Sequence, residues 1–472
     1  MSRLTFTLLV LLSLPMRVGA QSDTLRLTLP QAMEIADARN LSLSIAREGV
    51  NAARAEEREL NALWFPTVAL SGEWSHSLTE IAAVTSIGEI AGEAAMSQVE
   101  ELLKSIAPPL AGVVGEVAAH QVRLPLVPRT TASVGVEVVW TIFSGGRRIQ
   151  ASRISEALLQ LAANRLHASE NALCAGVVEA YFGVRLAEAS REVCAQSVVS
   201  FCRHLRQARL MEAEGVIVPS ERMVAEVALE QARARLKSAE GELRVAQHTL
   251  LAILNLDSLI LSPTTPLFLP ESLPSKAHFD SLLLHSPLLG ALRQQSQIAT
   301  HSLRMEQSRY LPSVALIGHQ QLWSSGLASN LFPHTFVGVG LSWTLFDGLS
   351  REGAVARSRS AVRSSEGEYQ RVLHDLHLSV DRLYAALTTA QSEYTVGVTT
   401  ESLVEELLRS RQRAFAEGMA TSSEVIDAQV MLSEVKLGKM AALYAIDSSL
   451  CSLLMLIGQA DQYADYISNN YE

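Results

Sequence analysis

His374, His377 and Asp381 recur at i, i+3 and i+7, which sets two imidazoles and a carboxylate along one face of a helix, the donor types of a zinc site. A closed tetrahedral site takes four ligands, and no fourth is visible in the sequence, so the cluster reads as a polar helix surface. Cys194 and Cys202 stand eight residues apart, roughly 12 Å by helical rise, too far to bond each other within a chain. They read as buried free thiols, with pairing to Cys451 left open for an oxidising compartment. Glu221, Glu424 and Asp427 fall in the first turns of helices, where carboxylates compensate the positive helix end. No Cys-x-x-Cys pair, Gly-rich phosphate loop, nucleophile elbow or Ser/His/Asp arrangement occurs, so the sequence calls for no enzyme chemistry, no cofactor and no metal. With 49 acids against 39 bases, a net charge of -10 and no Lys/Arg cluster, a nucleic-acid surface is excluded.

These side chains need long helices to carry them. Residues 147–214 and 351–417 contain no proline, are rich in Ala, Leu, Glu and Arg, and repeat apolar residues at helical spacing. Roughly 68 residues at 1.5 Å each make about 100 Å, a length normally held by coiled-coil packing. Return helices are expected at about 220–255 and 421–457, and one further helical segment before each first strand, at about 30–63 and 279–309. Pro263, Pro266, Pro270 and Pro274 mark 257–276 as an irregular connector, and 459–472 as a tail follows the last helix.

The chain reads as two copies of one module. Trp64-Phe65-Pro66 and the strand after it recur as Tyr310-Leu311-Pro312, an offset of 246 from Pro66 to Pro312. Trp140-Thr141-Ile142-Phe143-Ser144-Gly145 recurs as Trp343-Thr344-Leu345-Phe346-Asp347-Gly348, an offset of 203 shared by Tyr181 and Tyr384, Gly215 and Gly418, Glu221 and Glu424. The two offsets differ by 43, which places one insertion in the first copy, at about 81–127. The copies then span 21–256 and 277–458.

Each copy opens with strands. Val68, Leu70, Trp74 and Leu78 alternate with Ala69, Ser71, Glu73, Ser75 and Ser77, and Val134, Val136, Val138, Trp140 and Ile142 alternate with Ser133, Gly135, Glu137 and Thr141. Val337, Val339, Leu341, Trp343 and Leu345 repeat the pattern, whereas the strand around Val314 alternates poorly. The expected strands are 66–78, 130–143, 312–323 and 335–346. Residues 1–20 have the basic start, short apolar run and small-residue end of a signal peptide, which sends the mature chain out of the cytosol. Beyond them no unbroken 18-residue apolar stretch occurs, so any membrane crossing must use strands. Four strands cannot close, and an open sheet in lipid leaves two unsatisfied edges at several kcal/mol per backbone group. Outer-membrane barrels start at about eight strands, so at least two chains are needed and three would supply twelve.

The ordered set of aromatic-Pro strand entries, Trp-Thr-x-Phe-x-Gly exits at Trp140 and Trp343, and glycines at the helical turns resembles the outer-membrane efflux and secretion channel family typified by TolC, over essentially the whole mature chain. The resemblance implies an α+β membrane protein of duplicated strand-pair-plus-long-helix modules, assembled as a homotrimer with a 12-stranded β-barrel in outer-membrane lipid continued by a long periplasmic α-helical barrel. It implies a passive exit duct of a tripartite efflux or type I secretion system, fed by an inner-membrane transporter through a periplasmic adaptor (membrane fusion) protein. Trp140, Phe143 and Gly145, with Trp343, Phe346 and Gly348, would mark the strand-to-helix boundary. Gly215, Val216, Ser220, Gly418, Met419 and Thr421 would form adaptor-docking tips, with Ser or Thr capping each return helix. Glu221, Glu424 and Asp427 would form an acidic ring at the pore aperture. A basic latch residue of some relatives aligns with Ala420, so that closure bond has no counterpart here. The insertion would lie outside the cell, as a cap or a decoration. The competing reading is a periplasmic coiled-coil adaptor or scaffold without a pore; such a protein has a single hairpin and would not duplicate strand pairs suited to lipid.

Overall fold

The computed structural model describes residues 24–76, 78, 81–82, 125–127, 130–257, 260–270, 272–325 and 334–468. The expected signal peptide, most of the 81–127 insertion and the end of the tail lie outside these residues. The strands are β1 Thr24–Leu27, β2 Thr67–His76, β3 Ile81–Ala82, β4 Pro125–Val127, β5 Thr130–Phe143, β6 Ile260–Pro263, β7 Ser313–Ser324 and β8 Thr335–Ser342. The α-helices are α1 Leu29–Arg39, α2 Leu41–Asn61, α3 Arg147–Ala213, α4 Pro219–Leu254, α5 Lys276–Leu282, α6 Pro287–Gln307, α7 Ser350–Ala416, α8 Ser422–Ile457 and α9 Tyr463–Ser468. Contacts group these into a strand-bearing unit, 53–159 with 295–366, and a helical unit, 1–52 with 160–294 and 367–472.

The strand-bearing unit holds one antiparallel sheet in the order β2-β5-β7-β8. Val68 pairs with Val138 and Leu70 with Val136; Val138 in turn pairs with Gly318, and Gly318 with Val337. Because side chains alternate along a strand, this register gathers Val68, Leu70, Trp74, Trp323, Val337, Val339 and Leu341 on one face. All seven are exposed, Leu70 and Val337 at 71% each. Glu73, Ser133, Glu137, His319 and Ser342 share the opposite face. The poor alternation in β7 has a local cause: the register shifts between Val134 and Gly135, and Gln320 falls on the apolar face opposite Val136. Among the described residues β2 and β8 pair on one side only.

In the helical unit the apolar stripes of α3, α4, α7 and α8 meet in a core that includes Tyr181, Phe182, Leu250, Leu254, Val380, Ile446 and Leu450. By length and composition α8 is the one helix, among those described, that would suit a membrane span. Its apolar residues are already occupied, since Ile446, Leu450, Leu453, Leu454 and Ile457 are buried against that core.

Three expectations are corrected here. The segment 30–63 is two helices, because Asn40 turns extended after α1, accepts the Leu43 amide at 3.1 Å and donates to the Ile253 carbonyl at 3.1 Å. The segment 279–309 divides before Pro287, which fits only a first helical turn. The connector is not wholly irregular: β6 pairs in parallel with β1. The fully buried Tyr181 holds that pair, its hydroxyl donating to the Leu27 carbonyl at 2.7 Å and accepting the Thr264 and Thr265 amides at 2.9 and 2.8 Å.

Below this pair lies a carboxyl. Asp447 of α8 is fully buried and accepts the Tyr463 hydroxyl at 2.8 Å through Oδ1, while Oδ2 has no partner among the described residues. Burial pushes its pKa up to about 8, against the opposing pull of the Tyr463 hydroxyl and the Phe268 backbone. A raised folded-state pKa contributes stability that is full below the unfolded value of 3.8 and is lost as the pH rises through about 8. The melting temperature of the purified protein should therefore fall as the pH climbs toward 8, and Asp447→Asn should flatten that slope; an identical slope in the variant would remove Asp447 as its source.

Candidate functional site: helical turns and strand-to-helix junctions

Both helical turns are built on a left-handed glycine. Gly215 has φ +76° and Gly418 +73°, a region where a side chain is strained. In the first turn Gly215 N–H reaches the Glu212 carbonyl at 2.9 Å and Val216 N–H reaches the Met211 carbonyl at 2.8 Å; Gly418 to Phe415 and Met419 to Ala414 repeat this at 3.0 and 2.8 Å. These paired bonds satisfy the last carbonyls of α3 and α7. Val216 and Met419 follow at the apices, 54% and 72% exposed.

The two return helices start differently. Thr421 caps α8 in a full capping box, its Oγ1 accepting Glu424 N–H at 3.3 Å while its own N–H donates to Glu424 Oε2 at 2.9 Å. In the first turn the N-cap is Val218, without a side-chain cap, and Pro219 occupies the first helical position. Ser220 is therefore not the cap the spacing suggested: the proline takes the slot whose amide would be free, and Ser220 sits exposed after it.

The acids are already engaged within the chain. Glu221 reaches across to the other copy's turn, its Oε2 accepting Ser422 N–H at 2.7 Å and so capping α8 from outside. Glu424 pairs with Arg411 at 3.0 Å in addition to its capping role, and the Thr421 amide and Arg411 hold its carboxyl below the usual range. Asp427 is exposed. Ser422 itself is buried, and its hydroxyl lies 2.9 Å from His204 Nε2, with the His204 ring 4.7 Å from that of Phe415. Residues from all four long helices, among them Leu205, Leu229, Leu408 and Val425, pack around this node. His204, which the sequence did not single out, is a buried contact that ties α3 to the start of α8.

The strand-to-helix junctions repeat a second device. Trp140 Nε1–H donates to the Trp64 carbonyl at 3.0 Å, and Trp343 Nε1–H donates to the Tyr310 carbonyl at 3.1 Å. Over the same two aromatic rings lie Arg148, 4.6 Å from the Trp64 centroid, and Arg351, 5.0 Å from the Tyr310 centroid. Arg351 donates to the carbonyls of Thr344 and Leu345 at 2.8 and 2.9 Å and pairs with Asp347 at 3.3 Å; Arg148 donates to the Ile142 carbonyl. β8 ends at Ser342 and not near 346 because its partner β7 begins at Ser313, directly across; the carbonyls of Thr344 and Leu345 bond the guanidinium instead. Arg148 and Arg351 obey the 203-residue offset, a signal that would have found them.

Gly145 and Gly348 are both left-handed, at φ +64° and +68°. At Gly145 space matters as well, since a Cβ there would stand 2.5 Å from the Ser308 carbonyl oxygen and 2.9 Å from Leu311 Cβ. Phe143 and Phe346 are exposed, at 43% and 77%, as are Trp140 and Trp343.

The remaining candidates lie apart from the turns and junctions. Asp381 is ion-paired with Lys276, and His377 Nδ1 lies 3.4 Å from Asp280, so α5 lays a lysine and a second acid over the His374 face. Among the described residues no group of three or more His, Cys, Asp or Glu converges to hold a metal. All four cysteines are free; Cys194 and Cys202 are half-buried, and burial raises the pKa of Cys451 and takes Cys174 to about 11, which keeps these thiols inert.

A duplicated module of paired strands and long helices, with an open sheet whose one face is exposed and apolar, is an arrangement suited to an outer-membrane protein. The chain belongs to the outer membrane efflux protein family, whose profile matches residues 126–256 and 279–459. That membership places it in the cell outer membrane, extending into the periplasm. Its fold is that of CusC, solved in a study of transmembrane channel formation (TM-score 0.73, 16% identity, covering 94% of this chain and 95% of that one). It is likewise similar to VceC of Vibrio cholerae (0.73, 16%, 91% and 96%) and the CmeC channel of Campylobacter jejuni (0.74, 15%, 94% and 88%). A curated relative, Protein CyaE of Bordetella pertussis, is 28% identical over 182 residues, and the match spans 38% of each chain.

Gly145→Ala should cost at least about 1 kcal/mol of stability, from the left-handed backbone and the contact with Ser308, whereas Gly348→Ala, with open space around it, should cost less; denaturant titration of both checks the order. Burial lowers the His204 pKa below 6.5, opposed by the Glu221 carboxylate. A lowered folded-state value means the turns are held most firmly above about pH 6.5 and loosen as the pH falls below it. Amide exchange around Ser422 should accelerate on acidification in the native chain and lose that dependence in His204→Gln.

Proposed function

We propose that three copies of this chain close their sheets into one 12-stranded barrel and conduct cargo passively from an inner-membrane transporter, through a periplasmic adaptor, to the outside. The observation that carries this reading is the four-stranded sheet with an apolar exposed face and two edge strands that, among the described residues, pair on one side only. Placed in lipid as one chain, it would leave both edges unsatisfied; another copy supplies what each edge lacks. Val68, Leu70, Val337 and Val339 then meet lipid, and the polar face with Glu73, Glu137 and His319 lines the lumen. In this reading the driving force belongs to the transporter. An adaptor or scaffold without a pore would have no use for an apolar sheet face repeated in both halves.

At the turns, Gly215, Val216, Ser220, Gly418, Met419 and Thr421 are the adaptor-docking surface. The two exposed apolar tips, Val216 and Met419, offer seats for apolar side chains of a partner hairpin. Asp427 contributes the free charge of an acidic aperture, while Glu221 and Glu424 serve mainly to hold the turns. The function of a basic latch at Ala420 is taken over by the Glu221 bond to the Ser422 amide and the His204 contact beside it. Protein secretion and small-molecule efflux are two uses of the same duct; neither changes the conduction mechanism.

Gly215→Val and Gly418→Val should reduce export and adaptor co-purification much more than oligomer formation. Normal export by both variants would contradict docking at the turns, and a purified wild-type protein that gave no conductance in planar bilayers would contradict the duct itself.

A further inference from the structure

On the polar face of the sheet the bulky side chains lie down, and glycine is what lets them. A Cβ built on Gly135 in β5 would stand 2.8 Å from Cε1 and 3.2 Å from Nε2 of His319 in β7. One built on Gly338 in β8 would stand 2.8 Å from Cε2 of Phe336, two residues earlier on the same strand and face, and one on Gly340 would stand 3.1 Å from Cδ1 of Ile317. At such separations each ring or methyl occupies the volume a side chain would take. Gly135 is buried as a result, although Glu137 beside it on the same face is exposed. The apolar face shows nothing of the kind: Gly72 and Gly318 meet no atom nearer than 3.9 and 3.8 Å.

We propose that Gly135, Gly338 and Gly340 are seats that fold His319, Phe336 and Ile317 flat against the wall, and that these seats set the effective bore of the barrel. The inference rests on the reading of this face as lumen-facing. An upright imidazole or phenyl ring would project into the lumen once per chain, and closure of identical chains would repeat each projection at one height. Laid over glycine, the same rings present a face instead of an edge, so the wall stays smooth for bulky cargo. The register fixes the partners, with His319 directly across from Glu137 and Phe336 directly across from His319. The close atoms at Gly135 and Gly338 are the ends of side chains, and the nearest backbone atom at Gly135, the Gln320 carbonyl oxygen, is 3.3 Å away. A β-branched residue, well suited to a strand, therefore lifts the ring before it disturbs the sheet.

The test measures exclusion of polyethylene glycols of graded size, added on the extracellular side of single channels in planar bilayers. A polymer that enters the barrel lowers the conductance, so the smallest excluded polymer reports the bore without any need to pass the helical turns. Gly135→Val and Gly338→Val should move the exclusion limit to smaller polymers, and G135V/H319A and G338V/F336A should return it. An unchanged limit in both single variants, in assemblies that still conduct, overturns the seats. His319→Ala alone, which needs no new space, should leave the limit where it was, because a flat ring takes little bore; a clear increase overturns the proposal for that pair. A wild-type protein that forms no channel at all contradicts the barrel reading itself, and the seats with it.

Discussion

Backbone hydrogen bonding at the edges of one sheet is the constraint on which the rest depends. Four strands carry an exposed apolar face that water does not favour, yet lipid cannot receive the sheet while β2 and β8, among the described residues, each have a neighbouring strand on one side only. Both demands are met together when like sheets adjoin edge to edge. Family membership places the chain among outer membrane efflux proteins, and its fold is that of CusC.

The strand-to-helix junctions show how a sheet hands over to helices without leaving carbonyls stranded. In each copy an indole N–H closes the corner, and an arginine stacks on the aromatic that precedes the first strand while bonding carbonyls at or just past the end of the second. The copies are not equal. In the first, Gly146 sits left-handed at φ +87°; in the second, the corresponding Leu349 is held at +67°, a conformation that a leucine adopts only under constraint. Gly145 is hemmed in by Ser308, whereas Gly348 is open. At the helical turns the asymmetry runs the other way, with a full capping box on α8 and a bare Val218 cap on α4, and Glu221 reaches from the weaker turn to add a further bond to the stronger.

Much of this architecture was legible because duplication and periodicity are one-dimensional signals. The offset of 203 aligned Trp140 with Trp343 and Gly215 with Gly418, and period-two alternation located the membrane-compatible face of β5 and β8. What stayed hidden were contacts made by residues far apart in sequence. Asn40 looks like any helix residue until its side chain meets Ile253; β6 is too short and proline-rich to read as a strand until β1 lies beside it. Tyr181 registered as a landmark without its role as the staple of that pair. His204 and Asp447 carry no local motif, since their importance comes wholly from burial. The glycine seats were invisible for a related reason: a glycine in a strand signals missing bulk, but only the neighbouring strand reveals what fills it.

The most direct measurement is the structure of the full chain reconstituted in a lipid bilayer, determined by electron cryomicroscopy. Three chains around a common axis, with β2 of each in hydrogen-bonding register with β8 of the next, is the predicted result. A single chain whose own β2 and β8 pair with each other, or an assembly whose sheets do not touch lipid, would contradict it.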